Sequence, residues 1–522
     1  MDESSFLLPA HPLVRSTTSP VMSASMLVSV SSRPAPANEA SRLLEPAALP
    51  RPRGGREIAA LFKDSIPVIF SYILQNSIQT VSIVIVGRLG PTELSVAAFS
   101  LMLAFVTGWC VALGGSTALD TLGSQSFTGG KHSTDLSVHF QRCLIMLWLL
   151  FIPVGIVWAN MASVLMALGQ EEQLSRDTQQ YLRLLLLAAP GYIGFECLKK
   201  YLQCQGIMDA STYVLILISP INAALNVYFV HYTRFGINGS PIALALTFWL
   251  AFLFLIMYTA CSPTHARNQT WGGLQLRAVF DARSCVEFFK LALPGILMIG
   301  TEWAAFEIVA LAAARLGSVP LAAQSVIMTT DQILNTIPFG IGVAASTRVG
   351  NAIGRRDAAG AKFIGHLSAL LSALTGMVVM LSLLASKNVY GYLFSDDISV
   401  VHLVSKVMPL VASFQVADGL AGSCGGVLRG QGRQHLGAAF NVFAYYVLAL
   451  PLGITLAFRM GHGLQGLWIG QVVALFIVGT CEYAVVWLGT DWEYEVEKGM
   501  RRNNPELYDD DDDNVEVCNA AA

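Results

Sequence analysis

The sequence is poor in charge. Asp, Glu, Lys and Arg make up 13% of its 522 residues, about half the share usual in soluble domains. With 32 basic against 35 acidic residues there is no basic excess to attract nucleic acid, and no nucleic-acid partner is expected. The nine cysteines are scattered singly with no CxxC or metal-ligand spacing, so neither a disulfide framework nor a metal site is indicated. HExxH, a Walker-type lysine loop, a GxSxG elbow and a paired-histidine cluster are all missing, which argues against an enzyme; no catalytic residue or cofactor is expected. The start of the chain has no apolar core following basic residues. Residues 1–57, rich in Ser, Pro and Ala, therefore read as a disordered cytosolic tail and not as a cleaved signal.

What is abundant is apolar sequence. Hydrophobic residues account for 54% of the chain and mean hydropathy is +0.56. From Ser65 onward about twelve stretches of roughly 20 apolar residues recur between short polar loops, each long enough to cross a bilayer as a helix. The expected fold class is an all-α membrane protein in the lipid bilayer. With the N-terminus placed in the cytosol, roughly 21 Lys and Arg residues fall at cytosolic ends against about 8 opposite, as the positive-inside rule requires. Arg142, Lys199, Lys200, Arg348, Arg355, Arg356 and Arg429 belong to the cytosolic set. Both termini are then cytosolic.

An internal repeat organises these spans. Lys63, Pro67 and Arg88-Leu89-Gly90 recur as Lys290, Pro294 and Arg315-Leu316-Gly317, all displaced by 227 positions; Gly236-x-x-Gly239 recurs as Gly463-x-x-Gly466 at the same offset. Six spans per half give two lobes of the same orientation, the parallel-repeat plan of a rocking carrier. The expected organisation is an N-lobe over 58–260, a cytosolic linker over 261–285, a C-lobe over 286–490 and an acidic cytosolic tail over 491–522.

Intramembrane charge marks the candidate site. Glu302 and Glu307 interrupt the apolar stretch from Leu291 to Leu316. A carboxylate at the centre of a membrane helix costs about 2.5–3.5 kcal/mol on insertion scales, so its default reading is a proton, ion or substrate site facing a wet cavity. Five residues apart on a helix, the two project about 140° from one another, so one faces the cavity and the other a neighbouring helix. In the tenth span Gly419 and Gly422, beside Asp418, suggest close helix packing. Trp303 and Phe306 could attract an organic cation at about 0.5–2 kcal/mol, or serve as packing. Asp120 reads either as a helix-end hydrogen-bonding residue or as part of a gate. Under the repeat, Glu302 corresponds to Gln75 and Glu307 to Thr80, so the first half offers neutral groups where the second offers acids, with Gln75 as a substrate contact.

The segments Glu302-Trp303-Ala304-Ala305-Phe306-Glu307, Gln324-Ser325, Pro338-Phe339-Gly340, Ala344 to Asn351 (AASTRVGN) and Val427 to Gly432 (VLRGQG) carry a family resemblance, joined in the first half by Val86 to Gly90 and Ala118 to Gln125. Together they resemble the eukaryotic multidrug and toxic compound extrusion (MATE) transporters over about residues 58 to 490. The resemblance implies a twelve-helix, two-lobe antiporter exporting small organic compounds, often cationic, in exchange for protons, with sodium the lesser alternative. It carries proton coupling onto Glu302, Glu307 and Asp418. Asp331 lies two residues from the position of a glutamate in some animal members, and either substitutes for it or pairs with an amide such as Gln332 or Asn335. The aspartate that bacterial members place in the first span is Ser82 here, which moves the proton chemistry to the C-lobe. A major-facilitator-like carrier and a lipid-linked-precursor flippase are the alternatives. The carrier is expected to work as a monomer. Two acidic dileucine patterns, Glu3/Leu7/Leu8 and Glu39/Leu43/Leu44, could engage sorting adaptors and favour a vacuole-like membrane over the plasma membrane.

Overall fold

The computed structural model describes residues 54–504; both dileucine patterns and the run Asp509 to Asp513 lie outside them. Regular structure among the described residues is helical throughout. The first half contains α1 (Gly54–Val86), α2 (Pro91–Gly129), α3 (Asp135–Ala159), α4 (Glu172–Cys204), α5 (Ala210–His231) and α6 (Gly236–Cys261). The second contains α7 (Ala282–Leu316), α8 (Ser318–Leu334 and Thr336–Gly354), α9 (Ala358–Ser386), α10 (Ile398–Gln431), α11 (Gln434–Arg459) and α12 (Gly463–Leu488). Eleven of these are long and apolar enough to cross a membrane, and α8 supplies the twelfth span in two pieces.

The break in α8 follows from its sequence. Pro338 has no N–H to offer the carbonyl of Leu334, and its ring crowds that carbonyl. The backbone turns at Asn335, whose N–H still reaches Asp331 O at 2.8 Å, and the side chain of Asn335 is left to face α10. Wide π-helical turns occur at Phe105–Trp109 in α2 and Val442–Ala449 in α11. Such turns recur at functional sites, and both lie against α7: Phe105 meets Trp303 edge-on at 5.0 Å, and the Tyr446 hydroxyl donates to Thr301 O at 3.0 Å.

Each lobe has its own core. In the N-lobe Trp109 is ringed by Phe151, Trp158, Tyr192 and Phe248, with centroids 4.5–6.4 Å away. In the C-lobe Phe306 lies among Phe414, Tyr445 and Trp468. Outward-facing Ile156, Leu253, Val378 and Leu381 are exposed, as a lipid-facing belt requires.

The lobes touch along only part of their length. Towards the end where the basic residues collect, Gln125 donates to Gly430 O at 2.9 Å, Thr128 to Asn351 O at 2.8 Å and Asn351 to Cys204 O at 3.2 Å, while Arg348 pairs with Glu57 and Asp64. A Cβ on Gly129 would meet Gly354 O at 2.5 Å, so glycine is what lets α2 and α8 cross there. Further along, Tyr72 packs on Phe339 and Asn76 reaches Gln332 O at 3.5 Å. Among the described residues, no hydrogen bond or aromatic contact joins residues 77–100 to the C-lobe. The lobes therefore splay apart away from the basic end.

Both the tail and the linker carry structure of their own. The segment after Asp491, read above as a polar tail, opens with a helix, α13 (Trp492–Asn503). Its apolar side is small but real: Trp492 and Val496 are buried against the C-lobe, and Arg502 reaches Gln125 at 2.7 Å and Glu287 at 2.9 Å, tying both lobes. The linker is also folded onto the N-lobe. Arg142 donates to Ala278 O and Val279 O at 2.6 and 3.0 Å, and Gln141 to Gly273 O at 2.8 Å.

Candidate functional site

A narrow cavity of about 50 Å³ opens within the C-lobe, lined by Glu302 and Trp303 of α7, Asn335 and Phe339 of α8, Asp418 and Arg429 of α10, Asn441 of α11 and Glu482 of α12. Five spans thus send a polar side chain to one place, and some of these are fixed locally. Asn441 donates to Met298 O at 2.7 Å, holding α11 against the turn of α7 that precedes Glu302. Asn335, freed by the helix break, donates to both oxygens of Asp418 at 3.1 and 3.3 Å. Asp331 stands behind this layer, buried, and accepts from Gln415 Nε2 at 3.3 Å. Its amide partner is therefore Gln415, not Gln332 or Asn335. Among the described residues neither Glu302, Asp331 nor Asp418 forms an ion pair. With three acids and one base on its wall, the cavity is acidic in balance.

The other predicted residues separate. Glu307 does not line the cavity; the helical turn between it and Glu302 directs it elsewhere. Phe306, expected as a substrate contact, is 4% exposed and locked in the C-lobe aromatic core, a correction that follows from its lying on the packed face of α7. Gln75 is corrected too. Its Nε2 donates to Tyr192 Oη at 3.2 Å and Glu196 Oε1 at 2.8 Å, and its Oε1 accepts from Lys199 Nζ at 3.0 Å, leaving little of the amide for a substrate. Ser82 bonds back to Ile78 O within its own helix.

The N-lobe is not neutral, as the repeat alone suggested. Glu196 and Lys199 form a fully buried pair at 2.8 Å, with Lys199 Nζ 4.2 Å above the Tyr72 ring. Lys200, also counted above as an end charge, donates to both oxygens of Asp120 at 2.9 and 3.0 Å. Arg429 approaches the same Asp120 from the other lobe, with Nε 3.5 Å from Oδ2. Arg142, Lys199, Lys200 and Arg429, counted above at the ends of spans, are all buried. Asp120 accordingly takes part in an ion cluster across the lobe interface. The rule that marks Glu302 applies equally to Glu196 and Glu482, both acids inside apolar spans; the signal was present in the sequence but lay outside the resembling motifs.

A twelve-span helical bundle in two lobes, with an acid-lined cavity within one of them, is the build of a membrane carrier. The MatE family profile matches the chain twice, at residues 67–228 and 294–455, two copies displaced by the same 227 positions as the repeat. The chain is 38% identical over 451 residues to an uncharacterised transporter of Schizosaccharomyces pombe, covering 86% of this chain and 82% of that one. It is 32% identical over 452 residues to human multidrug and toxin extrusion protein 1, covering 86% and 78%. It superposes on the crystal structure of a eukaryotic MATE transporter with a TM-score of 0.80 at 29% identity, over 86% of this chain and 99% of that one. The chain belongs to the MATE family and is a multi-pass membrane transporter. The major-facilitator alternative is set aside.

Proposed function

We propose that this carrier is a secondary antiporter that moves organic compounds, often cationic, in exchange for protons, with Glu302 and Asp418 as the groups where the two compete. The observation that carries the reading is the shared cavity: two carboxyls on different spans face one space without a Lys or Arg paired to either. A carboxylate out of water is costly as a bare anion, so each must hold either a proton or a cation. A cavity that binds one at a time couples the two fluxes. The mammalian relatives are multidrug and toxin extrusion proteins, which supports the substrate class. Trp303, on the cavity wall and edge-on to Phe105 of the other lobe, supplies an aromatic surface for the organic part.

In this reading both termini are cytosolic and the splayed end of the lobes faces outward or into a lumen. An internal acidic, vacuole-like membrane is favoured: the proton gradient directed out of such a lumen would draw substrate in. Reconstituted into liposomes, the full chain should accumulate tetraethylammonium against an imposed pH gradient and ignore a sodium gradient. Glu302→Gln should reduce that uptake roughly tenfold or more. Undiminished, pH-dependent uptake by the variant would sink the assignment.

A further inference from the structure

Glu482 lies deep in α12 with no exposed surface. Neither carboxylate oxygen is paired with a base or a side-chain donor, and only the Gly425 backbone stands beside it, a state that a buried carboxyl tolerates best with a proton or a cation at hand. Space is nonetheless made for it. A Cβ on Gly437 of α11 would stand 3.0 Å from Oε1, and one on Gly425 of α10 would stand 3.3 Å from Oε2. Any larger residue at either position would press on the carboxyl. Glu482 opens on the cavity that holds Glu302, Asp418 and Arg429.

The charged and titratable groups around it come from every neighbouring span: Glu302 on α7, Asp331 on α8, Asp418, Cys424 and Arg429 on α10, and Tyr445 on α11. His366 of α9 packs further along α12, on Trp487. Arg429 is the one strong base in this set, and it is loosely held. Its contact with Asp120 is 3.5 Å, long for a charge-assisted pair, and Asp120 already has Lys200 on both oxygens. Arg429 Nε and Nη2 have no hydrogen-bond partner.

We propose that Glu482 is a further proton-carrying group of the C-lobe cavity, and that Arg429 is the counter-ion it takes on ionising, in exchange for Asp120 of the N-lobe. The proton leaves Glu482 for water in the cavity, and the new carboxylate pairs with the guanidinium. Asp120 keeps Lys200, so no lone charge is stranded, while the interface loses one of its ion contacts. Reprotonation returns Arg429 to Asp120. Proton occupancy in one lobe is thereby linked to the contact that holds the two lobes together. The consequence for transport rests on the antiport reading above; the proton site itself does not.

The test is infrared difference spectroscopy of the full-length chain in lipid between about pH 5 and about pH 9, a range that spans the ordinary carboxyl and imidazole values. The native protein should show a protonated-carboxyl band that is missing in Glu482→Gln and retained, displaced, in Glu482→Asp. In Arg429→Gln the midpoint of that band should move. In liposomes under a pH gradient, Glu482→Gln should lower tetraethylammonium uptake roughly tenfold. Identical carboxyl bands in native and Glu482→Gln protein would overturn the proposal, and a midpoint unmoved in Arg429→Gln would overturn the counter-ion exchange. A band that behaves as expected in a native chain that takes up no tetraethylammonium would sink the antiport reading and leave Glu482 as a proton site.

Discussion

Asp120 concentrates what single side chains do in this carrier. It is 1% exposed, carries two hydrogen bonds from Lys200 and is approached by Arg429 from the opposite lobe. Breaking a buried pair by removing one partner costs about 3–5 kcal/mol, because the other charge is left without compensation. Asp120→Asn should therefore lower the thermal unfolding midpoint in detergent by several degrees, followed by tryptophan fluorescence. Adding Lys200→Met should restore most of the loss, since the stranded ammonium is gone; a double variant as unstable as the single one would mean that Asp120 acts by some other route. At this scale the sequence was a partial guide. Glu302 stood out as charge within an apolar span, while Asp418 and Asp331 came to notice only through the family resemblance. Which face each residue presents was not visible, because neighbours on one helix turn can point to cavity or core, as Trp303 and Phe306 do. Nor could a lysine near the end of a span be told from one buried within it: Lys199 and Lys200 sit barely a turn before α4 ends.

Helices carry the second layer of the design. The interruption of α8 at Asn335 is what puts an amide against Asp418, and it was foreshadowed by Pro338, although a proline alone does not say where the freed side chain goes. The α13 helix was hidden for a different reason: with Glu493, Glu495, Glu497, Lys498, Arg501 and Arg502 among its twelve residues it reads as solvated tail, and Trp492, Val496, Gly499 and Met500 give it a narrow docking face. Its N-terminus is capped by Asp491, which accepts from the backbone of Glu493 and Tyr494. Trp492 packs against Gly365 of α9, where an added Cβ would come within 3.2 Å of the indole. Truncating a buried tryptophan costs about 3–5 kcal/mol. Trp492→Ala should thus release α13, seen as rapid proteolysis after residue 490, and weaken the Arg502 contacts to Gln125 and Glu287 with it. An intact, protected α13 in that variant would show that the ion contacts alone suffice to dock it.

Across the whole molecule, the two-lobe plan was the most legible feature, because a repeat imposes one offset on markers spread through six spans, and the twofold family match reproduces that offset. What the repeat could not convey is asymmetry. Equivalent positions carry Glu302 in one lobe and Gln75 in the other; Glu302, Asp418 and Glu482 of the C-lobe face a cavity, while Glu196 and Asp120 of the N-lobe are paired with Lys199 and Lys200. The contacts between the lobes are gathered towards the basic end. For a rocking carrier those contacts must open in every cycle. Thr128 on α2 and Asn351 on α8 meet there, with the hydroxyl 2.8 Å from the carbonyl. A cysteine at each position should therefore bridge under mild oxidation, given that a disulfide needs Cα atoms within about 7 Å. Oxidised Thr128→Cys/Asn351→Cys protein in liposomes should lose gradient-driven tetraethylammonium uptake, and a reducing agent should restore it, while each single variant should be indifferent to oxidation. Full uptake by the bridged carrier would mean that the lobes need not part at this end, and that substrate crosses by a route other than alternating access.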